Sequence, residues 1–195
     1  VRNGKIAVHQ AVGFQDKAAK TPMKPDSIFR IASMTKPIVS TAILMLSEQG
    51  KLLISDPLSK HLPEFANMKV LVEKNAADEK SEFVLEPVRR EITIQDLLRH
   101  TSGLTYGLFD KSRVDSMYRD ANLLSEDQTL EQQVSKLATM PLKHQPGTVW
   151  DYSLSVDVLA RVVEVITGKT LDIALNEMIF VPLKMNDTGF WVPST

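Results

Sequence analysis

The apolar residues of this chain recur mainly at the three- and four-residue spacing of an amphipathic α-helix. The pattern predicts a helix from Ser33 to about Gln49 and another over residues 155–167, and a glycine follows each, as is common after a helix C-terminus. Two further helices are predicted over residues 129–140 and 170–180. The apolar face of the first of these two comprises Leu130, Val134, Leu137 and Ala138. A largely helical body is therefore expected.

Alternating apolar and polar residues predict strands in other parts of the chain. Residues 5–8 and 9–14 alternate in this way and predict two short strands near the start of the sequence. Strand-like pieces also occur at residues 69–72 and 83–88. We therefore expect strand pieces in addition to the helical body.

Two segments carry clear signals for helix ends and turns. Residues 93–103 predict a short helix, because Thr93 and Asp96 occupy the two positions of a capping box. Residues 51–65 predict a loop with short turns, because two prolines interrupt the segment. The chain thus alternates between helices and well-defined connections.

The composition limits what the chain can be. Its 195 residues are 43% hydrophobic and 24% charged, which suffices for one sizeable core, and no repeat or linker marks a boundary. We therefore expect one domain over residues 1–195. A formal charge of -1 argues against nucleic-acid binding. No apolar run reaches the roughly 18 residues of a membrane helix, so we expect a soluble chain.

The residues that usually bind metals are sparse. The chain has no cysteine, which excludes disulfides, a thiol nucleophile and thiolate metal sites but is compatible with either redox compartment. The four histidines lack metal-ligand spacing: they are His9, His61, His100 and His144. Neither a metal nor another cofactor is expected, and any chemistry should proceed without one.

A serine and a lysine three residues apart stand at the start of the first long helix. If the helix begins at Ser33, the amine of Lys36 lies one turn away on the same face and can reach the hydroxyl. Pro37 is tolerated only among the first helical residues, which places Ser33 at or just before the first turn. The spacing alone also fits an N-cap serine followed by a solvated lysine. The pair of Ser33 and Lys36 is therefore a candidate nucleophile with its base.

Tyr152 is the third candidate. It follows a Pro-Gly turn and immediately precedes an apolar helix, so its loop can present the side chain to a cleft. Taken alone, it also fits a half-buried tyrosine with an anchored hydroxyl. The assignment of Tyr152 as a catalytic residue depends on whether it accompanies Ser33 and Lys36.

Four segments together resemble a known superfamily. "FRIASMTK", "LLRHTSGL", "PGTVWDYS" and the stretch from "VVEVITG" to "MNDTGF" are similar to the serine β-lactamases and penicillin-binding proteins. The similarity is to the branch with class C β-lactamases, D-alanyl-D-alanine carboxypeptidases and family VIII carboxylesterases. It implies an α/β (α+β) fold of the β-lactamase/transpeptidase type, in which a helical body packs on an antiparallel sheet. By resemblance, the remaining strands of that sheet are expected after Thr195, and the sequence starts without methionine. Both features suggest a fragment, that is, a partial domain.

The resemblance assigns Ser33 as nucleophile and Lys36 with Tyr152 as proton acceptors. A serine hydroxyl is a weak nucleophile unless a neighbour removes its proton, and a neutral lysine or a phenolate can do so. The two basic groups influence each other's protonation, so the acceptor is assigned only to the pair.

The sequence departs from the superfamily pattern at two places. Leu154 stands where lactamases and peptidases carry an asparagine, so an apolar residue replaces the amide that would bind a β-lactam or peptide carbonyl. The third motif, Lys-Thr-Gly or its equivalent, has no counterpart before Thr195. By resemblance that strand supplies the second oxyanion donor, the first being the N–H of Ser33.

Other candidate sites are weaker. Residues 103–107 resemble a nucleophile elbow, but they follow a helix where that turn follows a strand. Ser102 could be combined with His100 or His144 into a triad, yet no spacing supports it, and His100 fits a structural residue at a helix C-terminus. By resemblance, Tyr106 and Leu154 are expected to contact the substrate.

The sequence therefore predicts a serine hydrolase that acts through an acyl-enzyme, as a carboxylesterase on small or short-chain esters. A β-lactamase or D-alanyl-D-alanine carboxypeptidase is the alternative within the superfamily. A non-catalytic homologue or an inactive fragment is the alternative from another functional class. The expected partner is a small ester or β-lactam-like substrate, and the sequence carries no signal for an oligomeric state.

Overall fold

The computed structural model describes residues 1–74 and 82–191, and the chain divides into two compact units, Val1–Met34 and Thr35–Thr195. The α-helices are α1 (Thr35–Glu48), α2 (Ile94–Leu98), α3 (Arg113–Asp120), α4 (Leu130–Ala138), α5 (Ser155–Thr167) and α6 (Leu171–Leu175). The strands are β1 (Phe14–Asp16), β2 (Thr21–Pro22), β3 (Lys69–Glu73) and β4 (Phe83–Pro87). Turns of 3-10 helix cover Ala32–Met34, Leu58–Lys60 and Pro63–Phe65, and a π-helical turn covers Asn176–Phe180.

The first unit contains one short antiparallel hairpin. Strands β1 and β2 pair Phe14 with Pro22, with an irregular register inside the hairpin. The prediction of strands over residues 5–8 and 9–14 is wrong, because β1 begins only at Phe14. A strand depends on a neighbouring strand for its backbone hydrogen bonds, and among the described residues the hairpin has only two strands. Alternation alone therefore did not produce the predicted strands.

The second unit is built around α5. This helix packs against α1, α2, α4 and α6. Its buried apolar residues cover most of its circumference: Val156, Val158, Leu159, Ala160, Val162 and Val163. Full burial of one such aliphatic side chain contributes about 1.5–3 kcal/mol for the larger residues. The packing of α5 therefore provides much of the stabilisation of this unit.

Local signals set the ends of the helices as predicted. Helix α1 is followed by Gly50 with φ of 71°, and α5 ends at Gly168 with φ of 66°, the left-handed conformation that favours glycine. At α2 the predicted capping box is present, since the side chains of Thr93 and Asp96 each accept a hydrogen bond from the other residue's backbone N–H. The predicted positions of α1 and α5 are confirmed, and α2 begins as predicted but ends at Leu98, well before Gly103.

Helix α3 was not predicted from the sequence. Its buried residues are Val114, Asp115 and Tyr118, so a carboxylate interrupts its apolar face. The available signal was the N-cap, because Ser112 accepts a hydrogen bond from the backbone N–H three residues later. Apolar periodicity alone missed this helix.

Strands β3 and β4 confirm the two strand-like pieces in the middle of the chain. They pair antiparallel, from Lys69 opposite Pro87 to Glu73 opposite Phe83. The backbone of Leu142 adds two hydrogen bonds at the edge of β3. Within the described residues, no helix has both the length and the apolar character needed to cross a membrane.

Candidate active site

Ser33 lies in the 3-10 turn Ala32–Met34, at the end of the first unit, and it is exposed. Ala32 has φ of 45°, a conformation that costs a non-glycine residue on the order of 1–3 kcal/mol. Such strained residues concentrate at functional sites. The helix predicted to begin at Ser33 starts as a 3-10 turn and becomes α-helical at Thr35. The strained Ala32 thus directly precedes the predicted nucleophile.

Lys36 lies in the first turn of α1 and points at two tyrosines. Its amine is 4.8 Å from the centroid of the Tyr152 ring and 5.3 Å from that of Tyr106. Both distances are within the range of a cation–π interaction. Within the second unit, the structure thus brings together three of the five site residues predicted from the sequence.

The two tyrosines stack on each other. Their ring centroids are 5.6 Å apart and their planes differ by 3°. The ring of Phe109 lies 5.4 Å from Tyr106 and 5.9 Å from Tyr152. Tyr106, Phe109 and Tyr152 therefore form an aromatic cluster, and a lysine amine lies beside it. Phe109 was not predicted, although the sequence "YGLF" places a second aromatic residue in the Tyr106 loop.

The charge of Lys36 acts on acidic neighbours. Burial raises the pKa of the Tyr106 phenol above its ordinary value, and the charge of Lys36 opposes this rise. Burial also raises the pKa of Asp157, in the first turn of α5, and Lys36 again opposes it. The sequence interpretation missed Asp157; the available signal was an acidic residue in the first turn of the helix after Tyr152. Together these groups form a partly buried, titratable environment for Lys36.

A buried carboxylate holds the loop that carries Tyr106. Asp115 accepts hydrogen bonds from the Thr105 hydroxyl at 2.6 Å and from the Gly107 N–H at 3.2 Å. Burial raises the pKa of this carboxyl, but Ser112 and Thr105, together with a nearby lysine, lower it below its ordinary value. These contacts hold both neighbours of Tyr106, the side chain of Thr105 and the backbone of Gly107.

Lys143 joins three carboxylates around the same region. Its amine is 2.7 Å from Asp110, 3.0 Å from Asp151 and 3.3 Å from Asp115. Burial lowers the pKa of Lys143, but hydrogen bonds to Asp110 and Asp151 more than offset this, and the net shift is upward. Because Asp151 directly precedes Tyr152, the lysine links the Tyr152 loop to the Tyr106 loop. Sequence reasoning missed this cluster, whose members are far apart along the chain.

Leu154 does not lie where a substrate-contacting side chain is expected. It is 0% exposed and belongs to the hydrophobic core, at the N-cap position of α5. A side chain without accessible surface in this structure cannot line a cleft, which corrects the expected role. Phe109, whose ring lies 5.9 Å from that of Tyr152, is 71% exposed, and Trp150, whose ring contacts His100, is 67% exposed.

The alternative triad is not assembled. Ser102 is 0% exposed, and its hydroxyl lies 2.8 Å from that of Ser155. His144 contacts Asp151 at 3.3 Å. The Ser102 hydroxyl is thus part of a buried polar network and has no surface from which to attack a substrate.

A solved structure defines the class of fold. EstCE1, described as a hydrolase with promiscuous acyltransferase activity, matches this chain with a TM-score of 0.79 at 32% identity. The match covers 94% of this chain and 45% of that protein. It confirms the predicted α+β fold of the β-lactamase/transpeptidase type.

The chain belongs to the Beta-lactamase family, whose sequence profile matches residues 1–195. It is 39% identical to esterase EstB of Burkholderia gladioli over 191 residues, which are 97% of this chain and 45% of that protein. It is 37% identical to the lovastatin esterase of Penicillium rubens over 172 residues, 88% of this chain and 42% of that protein. The chain thus spans less than half the length of these relatives.

Proposed function

We propose that the protein is a serine hydrolase that cleaves small or short-chain carboxylic esters through an acyl-enzyme. One observation carries the proposal: the amine of Lys36, three residues after Ser33, lies 4.8 Å from the centroid of the Tyr152 ring. Two relatives named as esterases support the choice of reaction.

In the proposed reaction, Ser33 is the nucleophile. Its hydroxyl oxygen attacks the ester carbonyl carbon while its proton passes to the pair formed by Lys36 and Tyr152. The tetrahedral intermediate then collapses, the carbon–oxygen bond to the alcohol breaks, and the departing alcohol takes up the proton. A water molecule attacks the acyl-enzyme in the same way, which releases the carboxylic acid and restores Ser33.

The pair of basic groups can share the proton. A lysine and a tyrosine that lie close together influence each other's protonation. The charged ammonium stabilises the phenolate, and the phenolate stabilises the ammonium. The acceptor is therefore assigned to the pair. The proposal requires that the Ser33 hydroxyl come within hydrogen-bonding distance of the Lys36 amine, about 2.6–3.2 Å.

The substrate preference follows from the residues around Tyr152. The side chain of Leu154 is buried, so this position supplies no amide group to the carbonyl of a β-lactam or peptide side chain. Phe109 and Trp150 expose large aromatic surfaces, and such surfaces bind apolar acyl or alcohol groups. Both features favour small apolar esters over β-lactams.

Parallel kinetics test the proposal. The full-length protein should hydrolyse p-nitrophenyl acetate or butyrate with a far higher kcat/KM than a chromogenic cephalosporin. A fluorophosphonate probe, followed by peptide mapping, should modify Ser33. Efficient cephalosporin hydrolysis with negligible ester turnover would replace the esterase by the β-lactamase alternative, and labelling at another serine would refute the assignment of the nucleophile.

A further inference from the structure

His100 has an unusual backbone for a residue with a side chain. It follows Arg99, the C-cap of α2, and has φ of 55°. This left-handed conformation is unfavourable for residues with a Cβ atom, and glycine is the common residue just after a helix. Histidine therefore occupies a position where glycine would carry less backbone strain.

Both the backbone and the side chain of His100 bind the segment around Tyr152. The N–H of Asp151 donates to the carbonyl oxygen of His100 at 2.9 Å. The N–H of Ser153 donates to Nδ1 of the same histidine at 3.2 Å. Hydrogen bonds accepted by one residue therefore fix the backbone immediately before and immediately after Tyr152.

The histidine ring also contacts the tyrosine ring. The centroids of His100 and Tyr152 are 4.9 Å apart, with the ring planes inclined by 35°. The same tyrosine ring stacks on Tyr106, and the Lys36 amine lies 4.8 Å from its centroid. The position of the Tyr152 ring is thus set by rings as well as by its backbone.

A chain of buried hydroxyl groups extends from this histidine into the protein. Nδ1 of His100 is 3.2 Å from the Ser153 hydroxyl, which is 2.7 Å from that of Ser155. The Ser155 hydroxyl is in turn 2.8 Å from that of Ser102, and all three serines are buried. Satisfied buried networks of this kind make the local structure rigid. The network anchors the start of α5 to the segment that follows α2.

We propose that His100 is a positioning residue for Tyr152, acting as a neutral imidazole whose unprotonated Nδ1 accepts the Ser153 N–H. Only the expected effect of His100 on turnover rests on the proposed ester hydrolysis. The structural content of the inference, the tautomer of His100 and the fixed Tyr152 ring, is independent of any reaction.

The surroundings of His100 favour the neutral form. Burial lowers the pKa of its imidazole, and the positive charge of Lys36 on α1 lowers it further. Asp151, in the Tyr152 loop, opposes these effects, but the net shift is downward. A protonated Nδ1 would become a donor and would lose the hydrogen bond from Ser153.

Nuclear magnetic resonance of the full chain tests the tautomer directly. Long-range proton–nitrogen spectra at pH 7.5, assigned by comparison with His100→Asn, should show Nδ1 of His100 unprotonated and Nε2 bearing the proton. The Tyr152 ring should give one sharp set of signals that becomes broadened or multiple in His100→Gly. A protonated Nδ1, or Tyr152 signals unchanged in the variant, would overturn the proposal whether or not the protein hydrolyses esters.

Kinetics separate a positioning role from a purely structural one. His100→Gly removes the imidazole but suits the left-handed backbone, so its Tm should stay within about 4 °C of the wild type. Its kcat for p-nitrophenyl butyrate should fall at least about tenfold with KM nearly unchanged, as expected for loss of correct orientation. His100→Asn tolerates the same backbone and retains an acceptor oxygen, and it should recover part of the lost kcat.

The control is Lys184→Gly, since Lys184 is exposed and has the same φ of 55°. It removes equal backbone strain and should leave kcat unchanged. A large loss of stability in His100→Gly with full kcat in the folded protein would show a merely structural histidine. A wild-type protein without ester turnover would refute the proposed function, and the resonance experiment would still decide the role of His100.

Discussion

The two units of the chain use their apolar residues differently. In Val1–Met34, side chains such as Ile6, Val8 and Val12 are each 75% exposed. In Thr35–Thr195, the helices bury theirs, and every member of the hydrophobic core lies between Val39 and Phe180. The comparison shows that an apolar pattern stabilises a segment only when another surface covers it.

The same comparison separates chemistry from stability. The proposed nucleophile stands at the end of the exposed first unit, whereas its proposed basic partners belong to the packed second unit. Substitution at the serine should therefore affect turnover alone. Substitution in the core should affect folding first.

The largest expected effect is that of Ser33→Ala on activity. Removal of the attacking oxygen eliminates the covalent route, so kcat/KM for p-nitrophenyl butyrate should fall by about a thousandfold or more. The free energy of unfolding should change by less than about 0.5 kcal/mol, because the residue is exposed. Enzyme kinetics and urea unfolding measure the two quantities.

The control for this variant is Ser102→Ala, which removes the hydroxyl of the rejected triad. Folded Ser102→Ala should retain most of the turnover, although it removes one member of a buried hydrogen-bonded network. Equal losses of turnover in both variants would contradict the assignment of Ser33.

The next largest effect concerns stability in the two units. Leu159→Ala in α5 truncates a side chain that is 0% exposed and should destabilise the protein by about 2–5 kcal/mol. Val8→Ala truncates an exposed side chain in the first unit and should change stability by less than about 0.5 kcal/mol. Urea unfolding compares them, and a cost at Val8 that approaches the cost at Leu159 would show that the first unit is packed in solution.

The smallest expected effect is the response of the second unit to acid. Burial raises the pKa of Asp96, but hydrogen bonds from Arg90 and Thr93 lower it more, so it lies below its ordinary value of 3.8. As the pH falls, the unfolded state binds the proton first. The stabilisation is therefore complete above about pH 5 and is lost as the pH falls through 3.8 toward the folded-state pKa.

Asp96→Asn tests this dependence. The variant should lose on the order of 1–2 kcal/mol at pH 7, because hydrogen bonds to a charged group are weakened. Its free energy of unfolding should also fall less steeply than that of the wild type between pH 5 and pH 3. Curves of equal slope would show that Asp96 does not contribute to acid sensitivity.

Short-range patterns predicted most helices correctly, and the reason is physical. Caps and terminal glycines act within one turn, as the capping box at Thr93 and the left-handed Gly168 show. The same patterns failed over residues 5–14, because strand formation depends on a partner that a local pattern cannot specify. They also missed α3, where the buried Asp115 interrupts the apolar face.

The features of the candidate site also fall into those predicted from the sequence and those that depend on tertiary packing. The motif spacing and the family resemblance were enough to nominate Ser33, Lys36 and Tyr152. The burial of Leu154, the exposure of Phe109 and the raised pKa of Asp157 depend on the packing of distant segments. A local sequence pattern can place such residues in a loop or a first turn, but it does not determine their burial.

By itself, the sequence determined the positions of most helices, the family and the candidate catalytic residues, because each is encoded by neighbouring residues or by short motifs. The tertiary structure alone decided that Lys36 faces Tyr152 and that His100 holds the backbone on both sides of that tyrosine. These contacts join segments remote in the chain, and their geometry follows from how α1, α2 and α5 pack around one core.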